Sequence, residues 1–313
     1  MEWFDTNATL GTSQPYALAQ PNPDNGSTAY KFGNNAIFPT DSTCGGPTQS
    51  PCAFDGTTVL NSGIPVFFDG PMDWTVTVGA APGDSFWVVC LVHGANMRMK
   101  VNVVATSAPA SDPAALDTAN AQALAQDTAS AAALNAKYSA KQTWHVKGNH
   151  RVWDAWAGVD NRHVAVYGMF PRTLKVAKGD TVQWHFDSLT FEDHTVTFPS
   201  DKARKIANFF NPVCDPDGDA GPGPDNPPDM MDPPFCTDPT QLEIQLSDKF
   251  VPKLGDGTVT GRELESSGVR GAGSSALGGD ANYNLRFGAT SSGTGFKYIC
   301  MIHPFMRGRV VVR

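Results

Sequence analysis

Charge is scarce in this chain: Asp, Glu, Lys and Arg together make up 17% of 313 residues. What charge there is leans acidic, with a formal net of −8 at pH 7. No basic cluster offsets it, so a nucleic-acid partner is not expected. Long apolar runs are missing too. No segment approaches the stretch of about 18 apolar residues that reads as a membrane-spanning helix. The opening residues, Met1-Glu-Trp-Phe-Asp-Thr-Asn7, hold neither a basic stretch nor an apolar one and do not read as a signal peptide. If the protein is exported, its leader has been removed or lies outside this sequence. Histidine is sparse: there are seven, no two in a His-x-His pair, and none before His93.

Gly (30) and Pro (24) are plentiful by contrast. That composition suits short strands joined by many turns and predicts an all-β protein. The length is enough for two domains, each with its own core.

The last fourteen residues carry the strongest chemical signal. Cys300-Met-Ile-His303-Pro-Phe-Met306 sets a thiol, an imidazole and a thioether at three-residue intervals, just before a β-branched run ending at Arg313. His194, which opens the alternating stretch His194-Thr-Val-Thr-Phe198, is the expected fourth ligand. Two imidazoles, one thiolate and a weak thioether form the donor set that selects copper for electron transfer. Structural zinc prefers four strong ligands and rarely uses Met, which weakens a zinc reading.

On these residues the chain resembles the plastocyanin/azurin-type cupredoxins, and its C-terminal ligand loop is similar to that of amicyanin. Gly179-Asp-Thr-Val-Gln-Trp184, ten residues before His194, resembles the strand preceding the first copper ligand in that family. The likeness covers roughly residues 143–198 and 280–313. It implies a Greek-key β-sandwich with one type 1 copper held by His194, Cys300, His303 and Met306. It also implies that His303 is the port to a redox partner, such as a cytochrome or an oxidoreductase complex, within a patch of Pro304, Phe305 and Met301.

The motif occurs twice. Phe86-Trp-Val-Val-Cys90-Leu-Val-His93, followed by Met97, matches Phe296-Lys-Tyr-Ile-Cys300-Met-Ile-His303 followed by Met306. The expected architecture is two cupredoxin-like sandwiches joined by an Ala-rich helical linker, with the first sandwich incomplete at its N-terminus. The boundaries are 1–105 for the first domain, 106–142 for the linker and 143–313 for the second, with a long insertion at about 199–280. Trp3 aligns with Trp184, and ten residues on from Trp3 stands Ser13 where a histidine would be. The first domain thus keeps only Cys90, His93 and Met97 as a degenerate second site. Three readings stay open for it: a lost site on a retained scaffold, a low-affinity Cu(I) site, and a start Met placed too late.

Cys44/Cys52 and Cys214/Cys236 each lie upstream of one Cys-x-x-His motif. The repeated arrangement predicts disulfides Cys44–Cys52 and Cys214–Cys236 and hence an extracytoplasmic protein: periplasmic, cell-surface or secreted. Reduced structural thiols are the competing reading. In the linker, Ser111-Asp112-Pro113 gives a helix N-cap followed by Pro at the first helical position. A helix of about 26 residues follows, with Leu116, Leu124, Ala131, Leu134 and Tyr138 near one face. In the insertion, Asp215, Asp217 and Asp219 around Gly218 resemble part of a calcium loop, without the bidentate Glu that completes one. A solvated acidic loop is the alternative there, and Gly255-Asp-Gly257 and 271–279 read as further surface loop.

Within the family so resembled, a trinuclear oxidase centre needs more histidines than this chain has. A nitrite reductase needs a histidine beside the type 1 Cys, where Ile299 and Met301 stand. His145, His150, His163 and His185 read as scattered strand or surface residues, with a type 2 site built from them as the alternative. The expected function is therefore a type 1 copper electron carrier and not an enzyme. Copper storage or delivery, and a structural place in an extracytoplasmic redox or cell-surface assembly, are the alternatives.

Overall fold

A computed structural model of the chain describes residues 17–21, 28–32, 39–63, 73–90, 94–161, 163–186, 192–206, 210–214, 242–246, 249–271 and 282–313. These are mostly β-sheet, with two helices among the described residues, as the composition predicts. By internal contacts the chain divides into two compact units. One holds residues 1–18 and 32–123, the other 19–31 and 124–313.

In chain order, the elements up to the middle are β1 (Ala17–Pro21), β2 (Thr28–Phe32), β3 (Cys52–Phe54), β4 (Val76–Val78), β5 (Ser85–Cys90), β6 (Gly94–Asn102) and helix α1 (Pro113–Ser139). Within the first unit, β3 pairs parallel with β4, and Cys44 is disulfide-bonded to Cys52 at the head of β3. Gly45 beside that bond sits at φ +84°, and a Cβ there would lie 2.1 Å from Trp74 Nε1, so only glycine fits. Phe54 meets Phe86 edge-on at 4.7 Å, tying β3 to the β5–β6 hairpin.

Then come β7 (Trp144–Lys147), β8 (His150–Asp160), β9 (Ala165–Phe170), β10 (Thr173–Val176), β11 (Thr181–His185), β12 (Thr197–Phe198), helix α2 (Ser200–Ile206), β13 (Phe210–Cys214), β14 (Leu242–Leu246), β15 (Thr258–Val259), β16 (Glu265–Ser266), β17 (Asn282–Phe287), β18 (Phe296–Ile299) and β19 (Arg307–Val312). Two sheets carry the second unit. One runs β10-β19-β18-β12-β16 and the other β15-β17-β11-β8-β7, with β9 on β8. A smaller sheet, β1-β2-β14-β13, is separate.

Alternation explains how the two large sheets share a core. In β17, Tyr283, Leu285 and Phe287 are buried while Asn282, Asn284 and Arg286 are exposed; β19 buries Gly308, Val310 and Val312 in the same way. Trp184 of β11 is fully buried and donates its Nε1 hydrogen to the Tyr298 hydroxyl of β18 at 3.2 Å, joining one sheet to the other. Phe198 and Phe287 pack around the same indole. The result is a two-layer sandwich.

The sequence repeat has a structural counterpart. Phe86 pairs with Val101 and Val88 with Met99, just as Phe296 pairs with Val310 and Tyr298 with Gly308. In the second unit Gly308 makes room for the Tyr298 ring, which a Cβ would approach to 2.3 Å. In the first, a smaller Val88 faces a larger Met99, and both stay exposed.

Helix α1 spans 27 residues, and Asp112 caps it by accepting from Ala114 N at 3.1 Å. Leu116 and Leu124 are exposed, so the apolar stripe is used at its C-terminal end only. There Leu134 and Tyr138 pack on Trp156, Val159 and Phe170 of the second unit. The insertion is also not all surface. Phe250, Val251, Val259, Glu265, Ser266 and Val269 are buried, with β15 paired to β17 and β16 to β12.

Candidate metal centre

Two chain segments more than a hundred residues apart meet at one end of the sandwich. The first carries His194. Its backbone is bridged to Arg270, His194 N donating to Arg270 O at 2.8 Å and Arg270 N to His194 O at 2.9 Å. Arg270 is fixed in turn by its Nε, which donates to Ser267 O at 2.8 Å. The second segment is the turn after β18. Met306 N donates to His303 O at 2.8 Å and Cys300 N to Met306 O at 3.1 Å, closing the seven-residue loop on itself.

The two segments are stitched together at Thr195. Its backbone N–H donates to Cys300 Sγ at 3.3 Å, and its Oγ1 accepts from Met301 N at 2.7 Å. His303 N also donates to Cys300 Sγ at 3.3 Å. Thus His194 Nδ1 lies 3.2 Å from His303 Nδ1, and that nitrogen lies 3.9 Å from Cys300 Sγ. All three donor atoms fall within 4.8 Å of one another. Cys300, His194 and Met306 are buried, and His303 is half-buried at the surface.

Burial sets the electrostatics. Desolvation, aided by the neighbouring His303, drives the His194 imidazole down to about 3, so it is neutral near pH 7. Burial pushes the Cys300 thiol up, against the N–H groups of Thr195, His303 and Ile302 that favour the thiolate. A neutral His194 imidazole, the His303 imidazole beside it and a thiol already facing N–H donors form a ligand set that a cation would complete by displacing the proton from sulfur. The spacing fits a shared ion as well. Both separations are shorter than the sum of two metal–ligand bonds of about 2.0–2.3 Å, so one ion can bridge them. These three residues could hold a metal ion, and the soft sulfur among two imidazoles is compatible with copper.

Met306 ends the loop and is buried in the core. Met301 departs from the expected surface patch. It is 2% exposed and turned inward, while Phe305 is 62% exposed and Pro304 is also at the surface. Among the described residues, His145, His150, His163 and His185 join no group of three metal-binding side chains. His185 instead lies 2.8 Å from Asp154 and stacks on Trp156. In the first unit Cys90 is half-buried and Met97 is 58% exposed, while His93 lies outside the described residues. The Cys214–Cys236 pairing and Asp215, Asp217 and Asp219 also fall outside them.

Three further residues shape the site without having been singled out in the sequence. Gly158, at φ +76°, gives His194 its place, since a Cβ there would stand 2.2 Å from Nε2. A glycine inside the long apolar strand Val152–Val159 was the available signal for such a close approach. Thr195 and Tyr167 carried none. No family model and no curated protein matches the chain. No helix among the described residues is long and apolar enough to cross a membrane.

Proposed function

We propose that the chain is a type 1 copper electron-transfer protein of the cupredoxin kind, working through its C-terminal unit. The observation that carries this reading is the convergence of two imidazole Nδ1 atoms and one thiol sulfur from distant segments into a buried cluster. Met306, closing the same loop, supplies the weak fourth ligand that distinguishes a copper donor set from a zinc one. When bound, copper would supply a one-electron couple between Cu(I) and Cu(II).

The protein's own residues do the rest. The N–H groups of Thr195 and His303 hold the sulfur's lone pairs in fixed directions. Neighbours of the ligands tune a metal centre in this way, by orienting donors and limiting water. Burial of Cys300, His194 and Met306 keeps water away from the sulfur and the inner imidazole, which suits an electron carrier. His303 is the ligand nearest solvent, and Pro304 with Phe305 beside it forms the surface that a redox partner meets. The disulfide at Cys44–Cys52 fits an extracytoplasmic location.

One observation favours delivery of Cu(I) as a second reading: Met97 and Met99, soft donors on β6 close to Cys90, are exposed. Visible spectroscopy of the copper-loaded protein separates the two. A carrier shows an intense thiolate-to-Cu(II) band at one copper per chain, bleached by reductant and restored by oxidant, and absent in Cys300→Ser. Colourless Cu(I) at more than one equivalent, unaffected by Cys300→Ser, would instead establish delivery or storage.

A further inference from the structure

Tyr167 lies on β9, outside both segments that carry the candidate ligands, yet its ring touches each of them. It stacks on the His303 ring with centroids 4.8 Å apart and planes 9° from parallel. It meets the His194 ring edge-on at 5.8 Å. Its hydroxyl is hydrogen-bonded to Glu192, two residues before His194. The ring is 38% exposed, so one face covers His303 while the rest reaches solvent beside Phe305.

The two imidazoles therefore differ in how they are held. His194 is enclosed on all sides and pressed against Gly158. His303 is half-buried on a tight loop, where rotation about its Cβ–Cγ bond would swing Nδ1 away from Cys300. A parallel aromatic neighbour opposes that rotation, because turning the imidazole breaks the stack. The hydroxyl bond to Glu192 keeps Tyr167 itself from turning aside.

We propose that Tyr167 is a positioning residue for the metal centre: by stacking on His303 it keeps that imidazole in the orientation that binds metal. The proposal rests on the metal-centre reading above. Its consequence is that the site is preformed in the metal-free chain. Where a binding-competent arrangement is only partly populated, affinity falls by that fraction. Removing the stack should therefore weaken metal retention without altering any ligand.

The test begins with the unaltered, metal-free protein, in which proton NMR should show cross-relaxation between the Tyr167 and His303 rings. Two variants follow. Tyr167→Leu should shift or broaden the His303 ring resonances and release Cu(II) to a chelator about tenfold faster, the lower end of what loss of a ligand-orienting neighbour costs. Tyr167→Phe, which keeps the ring, should restore both properties towards the unaltered protein. Absence of the ring contact overturns the proposal whatever the copper chemistry, and this measurement stands even if Tyr167→Leu does not fold. A folded Tyr167→Leu with His303 resonances unmoved and an unchanged release rate overturns it as well. A chain that shows the contact but takes up no Cu(II) overturns the metal reading, and the positioning role with it, by a separate readout.

Discussion

Gly158 leaves no room for a methyl group, since its missing Cβ would stand 2.2 Å from His194 Nε2 and its φ is +76°. Gly158→Ala combines about 1–2 kcal/mol of left-handed backbone strain with a clash that must move a candidate metal ligand. The expected outcome is a lower unfolding midpoint and weaker Cu(II) binding together; unchanged Cu(II) affinity would show that His194 is not a ligand. Thr195 makes a second residue-scale case. Thr195→Val removes the acceptor of Met301 N and leaves a buried donor unpaired, at a cost of about 1–3 kcal/mol. Denaturant unfolding should show that loss, and the visible band should shift because the loop that carries Cys300 loses its anchor. At this scale the sequence was legible where chemistry depends on residue type and spacing: Cys300, His303 and Met306 lie on one short loop. That His194 joins them was legible from its place at the head of an alternating strand and from the family resemblance of the strand ten residues before it. Thr195 and Tyr167 were not, because their roles depend on which strands lie side by side, and that is set by folding of segments far apart.

Among the elements, the turn into β11 is held by one carboxylate. Asp180 accepts from Arg151 N, Trp153 Nε1 and Ala177 N. Burial would raise its pKa, but these hydrogen bonds, with the charge of Arg151, outweigh that and hold it below the usual carboxylate range. Its contribution to stability is therefore complete above the unfolded value of about 3.9 and disappears as pH falls through the lower folded value. Asp180→Asn should cost about 2 kcal/mol at pH 7 and make stability less sensitive to pH below 4, measured by urea unfolding across that range. Curves that stay parallel at all pH values would contradict the assignment. Helix α1 offers a different test. Tyr138 packs edge-on against Trp156 at 5.2 Å, with Lys141 Nζ 4.2 Å above the indole. Tyr138→Ala should remove about 1 kcal/mol of aromatic contact and speed amide exchange in the last turns of α1, with β8 and β11 unaffected. The existence, capping and length of this helix were readable from Ser111-Asp112-Pro113 and the Ala-rich run. Its docking was not, since Leu134 and Tyr138 become an anchor only once Trp156 and Phe170 are assembled. The insertion was harder still. Its Gly-rich composition reads as loop, yet Ser267 and Arg270 within it anchor the His194 segment.

On the scale of the whole molecule, two compact units should respond to separate perturbations. The Cys44–Cys52 bond closes a short loop, for which chain-entropy arguments give about 2.5 kcal/mol. Replacing both cysteines by Ala should lower the transition of the first unit and leave that of the second in place. Copper should do the reverse, raising the second transition by about 2.7 kcal/mol at a free concentration one hundred times Kd. Calorimetry checks both, and a single transition shifted by either change would show that the units unfold as one. The repeat was legible in the sequence as a recurring Cys-x-x-His motif, and matching hairpin registers now accompany it. What could not be read was the exposure of Val88, Met97 and Met99, since their burial depends on what packs against the hairpin.

Copper K-edge absorption of the loaded protein reads the metal's neighbours directly. One short sulfur and two imidazole nitrogens at a stoichiometry of one per chain are predicted, with the sulfur lost in Cys300→Ser and one nitrogen lost in His194→Ala. A shell of oxygen and nitrogen alone, or one unchanged by Cys300→Ser, would contradict a metal held between His194, Cys300 and His303.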